Sequence, residues 1–159
     1  MYCIRKTNIQ DLNEVLDIYK VAREFMIKNR NDSQWGHTHP PKELIINDIK
    51  QNKSHVCIKD KKIACVFYFN IEEDSTYTKI DGKWLNDLPY GVIHRIARAS
   101  DAKGAGTFCI NWCYSQCKNI RIDTHRDNKP MLTILNKLGF IYCGIIWLEN
   151  KNERLAFQK

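Results

Sequence analysis

The stretch from Gly91 to Cys117 constrains this chain more than any other. Gly91-Val92-Ile93-His94-Arg95-Ile96-Ala97 belongs to a strand spanning Tyr90 to Ala99. A turn carrying Gly104-Ala105-Gly106 follows, and Gly104 to Cys117 then predicts a helix. Glycines let a backbone approach a ligand closely. The helix behind them points its free N–H groups and positive dipole end at the turn, a ready anion site. Lys103 and Arg98, both just before the glycines, could add charge. An ordinary strand-to-helix turn would also explain the two glycines. The third glycine of a dinucleotide fingerprint is absent, as is the Lys-Ser/Thr of a P-loop.

The flanking segments supply the rest of an α/β domain. Tyr2 to Lys6 predicts a short strand, and Thr7 and Asn8 offer capping side chains. Ile9, Leu12, Val15, Leu16, Tyr19, Ala22, Phe25 and Met26 recur at three- and four-residue spacings, an amphipathic helix ending near 29–31. Residues 34–41 predict a loop and Pro41 the opening of a second helix. Strands follow at 55–59 and 62–71 around a tight turn. The polar connection 72–89 is longer than usual, a mark of a functional loop. A strand at 119–124, a helix at 128–138 closed by Gly139, and strands at 140–148 and 154–158 complete the chain. No repeat or linker divides the 159 residues, so one domain over 1–159 is expected.

Composition narrows the function classes. No apolar run is long enough to span a membrane or serve as a signal peptide, so the expected compartment is cytoplasmic. The net charge of +7 suits nucleic acid, an acidic surface or a polyphosphate, and its positive charges are dispersed. Cys109, Cys113 and Cys117 stack on one helix face as an apolar stripe of reduced thiols, and no CxxC pair points to a metal.

Twenty-two residues after Gly106 comes Asn128, and Met131 to Leu138 runs into Gly139-Phe140. With these features the chain resembles the GNAT family of N-acetyltransferases. The family's cofactor motif is Gln/Arg-x-x-Gly-x-Gly/Ala at a strand–helix junction, with an Asn opening the next helix and Leu/Ile-Gly-Phe closing it. Ile4-Arg5-Lys6-Thr7 with Asp11 resembles the family's opening, so the likeness covers the whole chain. It implies a mixed, mostly antiparallel sheet of about seven strands flanked by about four helices. It also implies transfer of an acetyl group from acetyl-CoA, as co-substrate, to an amine of a small molecule or peptide. No membrane or nucleic acid partner is expected, and a homodimer is left open.

By position, the resemblance assigns cofactor contacts to Ile96, Arg98, Lys103, Gly104, Ala105, Gly106, Thr107, Phe108 and Asn128. Asn128 would serve equally as a helix N-cap. Two residues depart from the pattern: Asp101 stands at the Gln/Arg position, and Leu135 replaces the Tyr that protonates the leaving thiolate in many members. The reaction needs a base or water relay for the amine proton. His94 is the candidate, two residues before Ile96 and expected on its face of the strand, with Tyr90 as a neighbour that could hold a water. A His packed beside the sheet is the competing reading. Trp35, Tyr77 and Trp84 are expected to wall the acceptor site, or else to form loop mini-cores. Two other functions stay open at this point: a non-catalytic acyl-CoA binder of the same fold, suggested by Leu135, and a basic nucleic-acid-binding module, suggested by the charge.

Overall fold

A computed structural model describes all 159 residues. Its elements are β1 (Tyr2–Lys6), α1 (Leu12–Lys28), α2 (Asp32–Trp35), α3 (Lys42–Lys50), β2 (Ser54–Lys59), β3 (Lys62–Ile71), β4 (Asp81–Gly82), β5 (Gly91–Arg98), α4 (Ala105–Cys117), β6 (Ile120–Thr124), α5 (Lys129–Lys137), β7 (Ile141–Trp147) and β8 (Glu153–Gln158). The eight strands form one sheet in the order β1-β2-β3-β5-β6-β8-β7-β4. All neighbours are antiparallel except β5 and β6. Two elements exceed the sequence expectation. The four-residue α2 overlaps the start of the anticipated 34–41 loop, and the two-residue β4 adds an eighth strand. Neither is long enough to leave a periodic pattern.

Local chemistry sets the joints. Asp60 and Lys61 both take positive φ, +51° and +65°, as the two central residues of a tight hairpin require. The expected cap at the first helix is rearranged: Thr7 Oγ1 bonds Ser54 Oγ at 2.7 Å, while the Asp11 carboxylate accepts the Asn8 N–H and grips Arg5. β4 reaches β7 through paired glycines. A Cβ on Gly82 would sit 2.0 Å from the Cys143 carbonyl oxygen, and one on Gly144 would sit 2.1 Å from that of Asp81.

Apolar burial divides between the two faces of the sheet. On one face Phe67, Phe69, Ile93, Ile122 and Phe157 pack under α4 and α5, which contribute Cys109, Ile110, Cys113 and Leu135. Cys57 and Cys65 lie in the same core, so the helical cysteine stripe meets sheet cysteines there. Burial pushes the Cys57 thiol up to about 12, which keeps it protonated at neutral pH. On the other face Val15, Ile18, Tyr19, Ile45 and Ile49 of α1 and α3 cover Val56, Val66 and Ala97. A third cluster, Tyr77, Tyr90, Val92, Ile146 and Ala156, lies beneath the 72–89 connection.

The feature that positions a site is the junction of β5 and β6. These parallel strands pair only at Gly91–Ile120 and Val92–Arg121 and then separate. Residues 93–98 of β5 keep main-chain groups on that side without a strand partner. Such groups are normally satisfied, so the wedge between the strands is a place built to receive something.

Candidate active site

Two cavities meet at this wedge. The narrower, about 290 Å³, runs between α1 and the first turns of α4 and α5, and is mainly apolar. Ile96, Arg98, Gly106 and Asn128 line it, with Phe25, Met131 and Ile134. The larger, about 550 Å³, opens on the other side of β5 and is lined by Gln34, Trp35, His39, Asp74, His94, Asp123 and Arg154 among others. Met26, Ile96, Asn128 and Met131 border both. A molecule threaded through the narrow channel would present its end to one lying in the wide cavity.

The Gly104–Gly106 turn adjoins the channel, and Gly106 is the residue of the turn that lines it. Gly104 has φ +86°, a left-handed conformation that glycine adopts without strain. The main-chain N–H groups of Lys103, Gly104, Gly106 and Thr107 find no carbonyl within the protein. They stand where the N-terminal end of α4 favours negative charge. Lys103 is exposed on this turn and its carbonyl accepts the Tyr2 hydroxyl, whose ring rests 5.0 Å from that of Phe108. Thr107 is half-buried and Ala105 is fully buried. The Arg98 guanidinium folds back on the carbonyls of Ala99 and Ser100. Asp101 is exposed on the same turn. Asn31 also borders the channel, and its Oδ1 is buried without a protein partner.

A bulge in β5 separates the two cavities. Val66 pairs with Ala97 but Tyr68 with His94, so Arg95 and Ile96 together stand opposite Phe67. Arg95 takes φ +49° there. Its carbonyl accepts the Tyr19 hydroxyl and its guanidinium grips Asp48 Oδ2 at 2.7 and 3.1 Å, contacts that hold the unusual backbone in place. The bulge inverts the alternation of side chains. Val92 and Ala97 face the α1/α3 side, while Ile93 and Ile96 pack toward α4 and α5. The expectation that His94 and Ile96 share a face is therefore corrected. Arg95, expected on the opposite face from His94, lies beside it against the Tyr68 ring. Sequence alternation carries no mark of a one-residue bulge whose extra residue is not glycine.

His94 Nε2 lies 2.6 Å from Asp74 Oδ2, and Nδ1 lies 3.9 Å from Asp123 Oδ1. The rings of Tyr68 and Tyr77 flank the imidazole at 5.5 and 6.0 Å. Burial raises the cost of ionising Asp74, but hydrogen bonds from His94 and Thr76 outweigh it and hold the carboxyl at about 2. Asp74 is thus a carboxylate at neutral pH and accepts from Nε2–H. In the neutral imidazole this contact puts the proton on Nε2 and the lone pair on Nδ1, beside Asp123. Asp123 in turn accepts the Tyr77 hydroxyl at 2.6 Å.

Three sequence-predicted site residues stand behind the cavity rather than in its wall. Tyr90 is buried, and its hydroxyl accepts the Asp74 N–H at 2.9 Å. Tyr77 is buried, with its ring beside His94 and its hydroxyl on Asp123, and it does not line the cavity. Trp84 donates to the Tyr77 carbonyl and covers the Arg121 guanidinium, which Tyr90 sandwiches from the other side. Their rings are consumed by the small core under the 72–89 connection, which aims Asp74 and Asp123. Trp35 does line the cavity, edge-on to Tyr19 and His39. His37 is exposed and apart from that wall. Asn128 caps α5, accepting the Met131 N–H at 3.2 Å, and also donates to Gln34 Oε1 at 2.9 Å. Leu135 is fully buried in the core, and the residues of α5 facing the channel are Pro130, Met131 and Ile134.

Asp74, Gln34 and Arg154 escaped the sequence reading as site residues. Asp74 comes from a connection with no regular pattern, Gln34 from a four-residue helix, and Arg154 from the last strand. Only the sheet order brings them together.

Among solved structures, a GNAT-family acetyltransferase from Streptococcus agalactiae 2603 is 31% identical to this chain. It covers 99% of this chain and 94% of its own, with a TM-score of 0.91. This chain belongs to the GNAT family of acetyltransferases. A GNAT-family acetyltransferase from Listeria monocytogenes 4b F2365 shares the fold at 16% identity, over 99% of this chain and 94% of its own, with a TM-score of 0.72. The PaiA N-acetyltransferase of Thermoplasma acidophilum, solved in complex with coenzyme A, shares it at 15% identity over 100% and 98%, with a TM-score of 0.71. No family model and no curated protein matches the sequence. A GNAT fold therefore underlies the wedge, the bulge and the glycine turn described above. No helix is long and apolar enough to cross a membrane.

Proposed function

We propose that this protein transfers the acetyl group of acetyl-CoA to an amine lying in the 550 Å³ cavity. The observation that carries the reading is the meeting of two chemically different cavities at the β5–β6 wedge. The narrow one fits the phosphopantetheine arm of coenzyme A: mainly apolar walls, Asn31 Oδ1 as a free acceptor for an amide N–H, and unpaired main-chain groups of β5. The Lys103, Gly104, Gly106 and Thr107 amides of the adjoining turn suit a pyrophosphate. When bound, acetyl-CoA supplies an activated thioester.

This chain's residues supply orientation and proton transfer. Asp123 sits beside His94 Nδ1 and attracts an ammonium to that corner. Nδ1 of the neutral imidazole takes one proton from the ammonium, the neutral amine nitrogen so formed attacks the thioester carbonyl, and the second N–H proton passes to water as the amide forms. The C–N bond forms, the C–S bond breaks, and the thiolate leaves. No protic side chain of α5 faces the channel to protonate it, so the thiolate draws its proton from water.

Liquid chromatography and mass spectrometry of an amine panel incubated with acetyl-CoA test the reading. An acetylated amine with one equivalent of free thiol is the expected product. Coenzyme A binding without any acetylated amine across the panel would favour an acyl-CoA binder, the alternative that Leu135 supports.

A further inference from the structure

The acceptor cavity is polarised by charge, and one of its charges has no carboxylate partner. Arg154 is 5% exposed and lies in the cavity wall. Its guanidinium donates to two main-chain carbonyls, those of Gln34 at 2.9 Å and Glu153 at 2.8 Å. It forms no ion pair, whereas Arg95 in the same wall is neutralised by Asp48. A buried cation without a counter-ion is unfavourable unless something else supplies the negative charge. Burial lowers the Arg154 pKa against the opposing attraction of the Asp123 carboxylate, which lies too far away to form an ion pair with it. His39, nearby in the wall, is held at about 4 by burial and then by the guanidiniums of Arg95, Arg154 and Arg23, so it stays neutral at pH 7.

The opposite sign gathers at the other end, where Asp74 and Asp123 flank His94. The sheet fixes the spacing of the two ends. Asp123 pairs across β6–β8 with Ala156, and Arg154 is two residues farther along β8 on the same face. Such a diagonal spans about 7–8 Å between strand positions, and both residues line the same cavity.

We propose that the acceptor is a small molecule carrying a carboxylate a few bonds from its reactive amine, an amino acid or a close relative. Arg154 binds the carboxylate, and Asp123 with His94 receives the amine. Guanidinium matches a carboxylate with two parallel hydrogen bonds, which gives geometric selectivity as well as affinity. The inference rests on the acceptor site proposed above and names its substrate class.

The test is a matched acceptor series: the common amino acids, β-alanine and γ-aminobutyrate, each beside its carboxamide. The protein is expected to favour at least one acid over its carboxamide by about tenfold or more in kcat/KM. Arg154→Gln should bring that ratio close to one, and Arg154→Lys should keep part of it. Coenzyme A binding by calorimetry reports whether each variant is folded. Binding of the same acids without acetyl-CoA is measured in parallel, because it separates the two proposals. An acid that binds through Arg154 but is never acetylated would break the transfer reading and leave this one standing. Acetylation with no preference for acids in the unmodified protein, or a preference untouched by Arg154→Gln, would overturn the carboxylate proposal and leave transfer standing.

Discussion

The two cavities on either side of β5 are built by different means. The channel is defined by backbone: a left-handed glycine, free amides at a helix start, and a strand edge without a partner. Its walls are mainly apolar, with Arg98, Asp127 and Asn128 among the exceptions. The acceptor cavity is defined by side chains: His94 between two carboxylates, Arg154, Trp35 and His39, brought from five separate parts of the chain. A site made of backbone tolerates many sequences and serves a constant ligand. A site made of side chains is specific, and changes in it alter what reacts. Substitutions on the two sides should therefore separate cofactor affinity from turnover.

The largest separation is expected at His94. His94→Gln should lower kcat about 100-fold, since Gln can hydrogen-bond Asp74 but cannot accept the amine proton. The dissociation constant of acetyl-CoA should stay nearly unchanged, because His94 does not line the channel. Stopped turnover assays, beside calorimetric titration of the cofactor, check both halves. Full activity in His94→Gln would leave His94 as a packing residue.

Asp74 offers the next effect, and its sign is set by linkage. The carboxyl titrates at about 2 in the folded protein, below its ordinary value near 3.8. The unfolded chain therefore binds the proton more readily. The stabilisation is present above pH 4 and is lost as pH falls toward 2. It amounts to about 2 kcal/mol by the same relation. Asp74→Asn should remove it, so that denaturant midpoints of the variant and the parent converge below pH 3 and separate at pH 6. Equal separation at both pH values would show that the Asp74 carboxylate contributes no linked proton.

Much of the channel was legible in the sequence, because backbone sites leave local marks. Gly104, Asn128 and Gly139 each stand at a position where local conformation or capping calls for that residue type. The acceptor cavity left no such marks. Tyr77, Tyr90 and Trp84 sit in the right loop or at the edge of the right strand, yet long-range packing turned them away from the cavity and exposed Asp74 instead. The Arg95 bulge shifted β5 by one residue, so alternation placed His94 correctly beside Val92 but misplaced Ile96. Arg154 acquires meaning only because β8 returns to lie between β6 and β7.

On the channel side, Gly104→Val should weaken coenzyme A binding about tenfold. The cause is conformational, since a Cβ at Gly104 would meet no atom within 4 Å. A β-branched residue at φ +86° is strained, and the turn would relax away from the geometry that aims its amides. Gly106 is also open to a Cβ but needs no positive φ, so Gly106→Ala should cost less. Equal losses at the two positions would mean that contact with the ligand, and not backbone conformation, governs this turn.

The smallest effect is expected at Lys103. It is exposed on the turn, and its carbonyl, not its ammonium, makes the recorded contact, with Tyr2. Its charge therefore acts on a bound pyrophosphate through solvent. An exposed charge of this kind contributes well under a fully formed buried ion pair, and salt screens it over about 10 Å at 0.1 M. Lys103→Ala should weaken coenzyme A binding a few-fold at low salt and hardly at all near 1 M, where the Debye length falls to about 3 Å. Titrations at the two salt concentrations decide the matter. A loss that persists at high salt would mean a direct contact between Lys103 and the phosphates. No loss at low salt would place the phosphates away from this residue and leave the free amides to hold them.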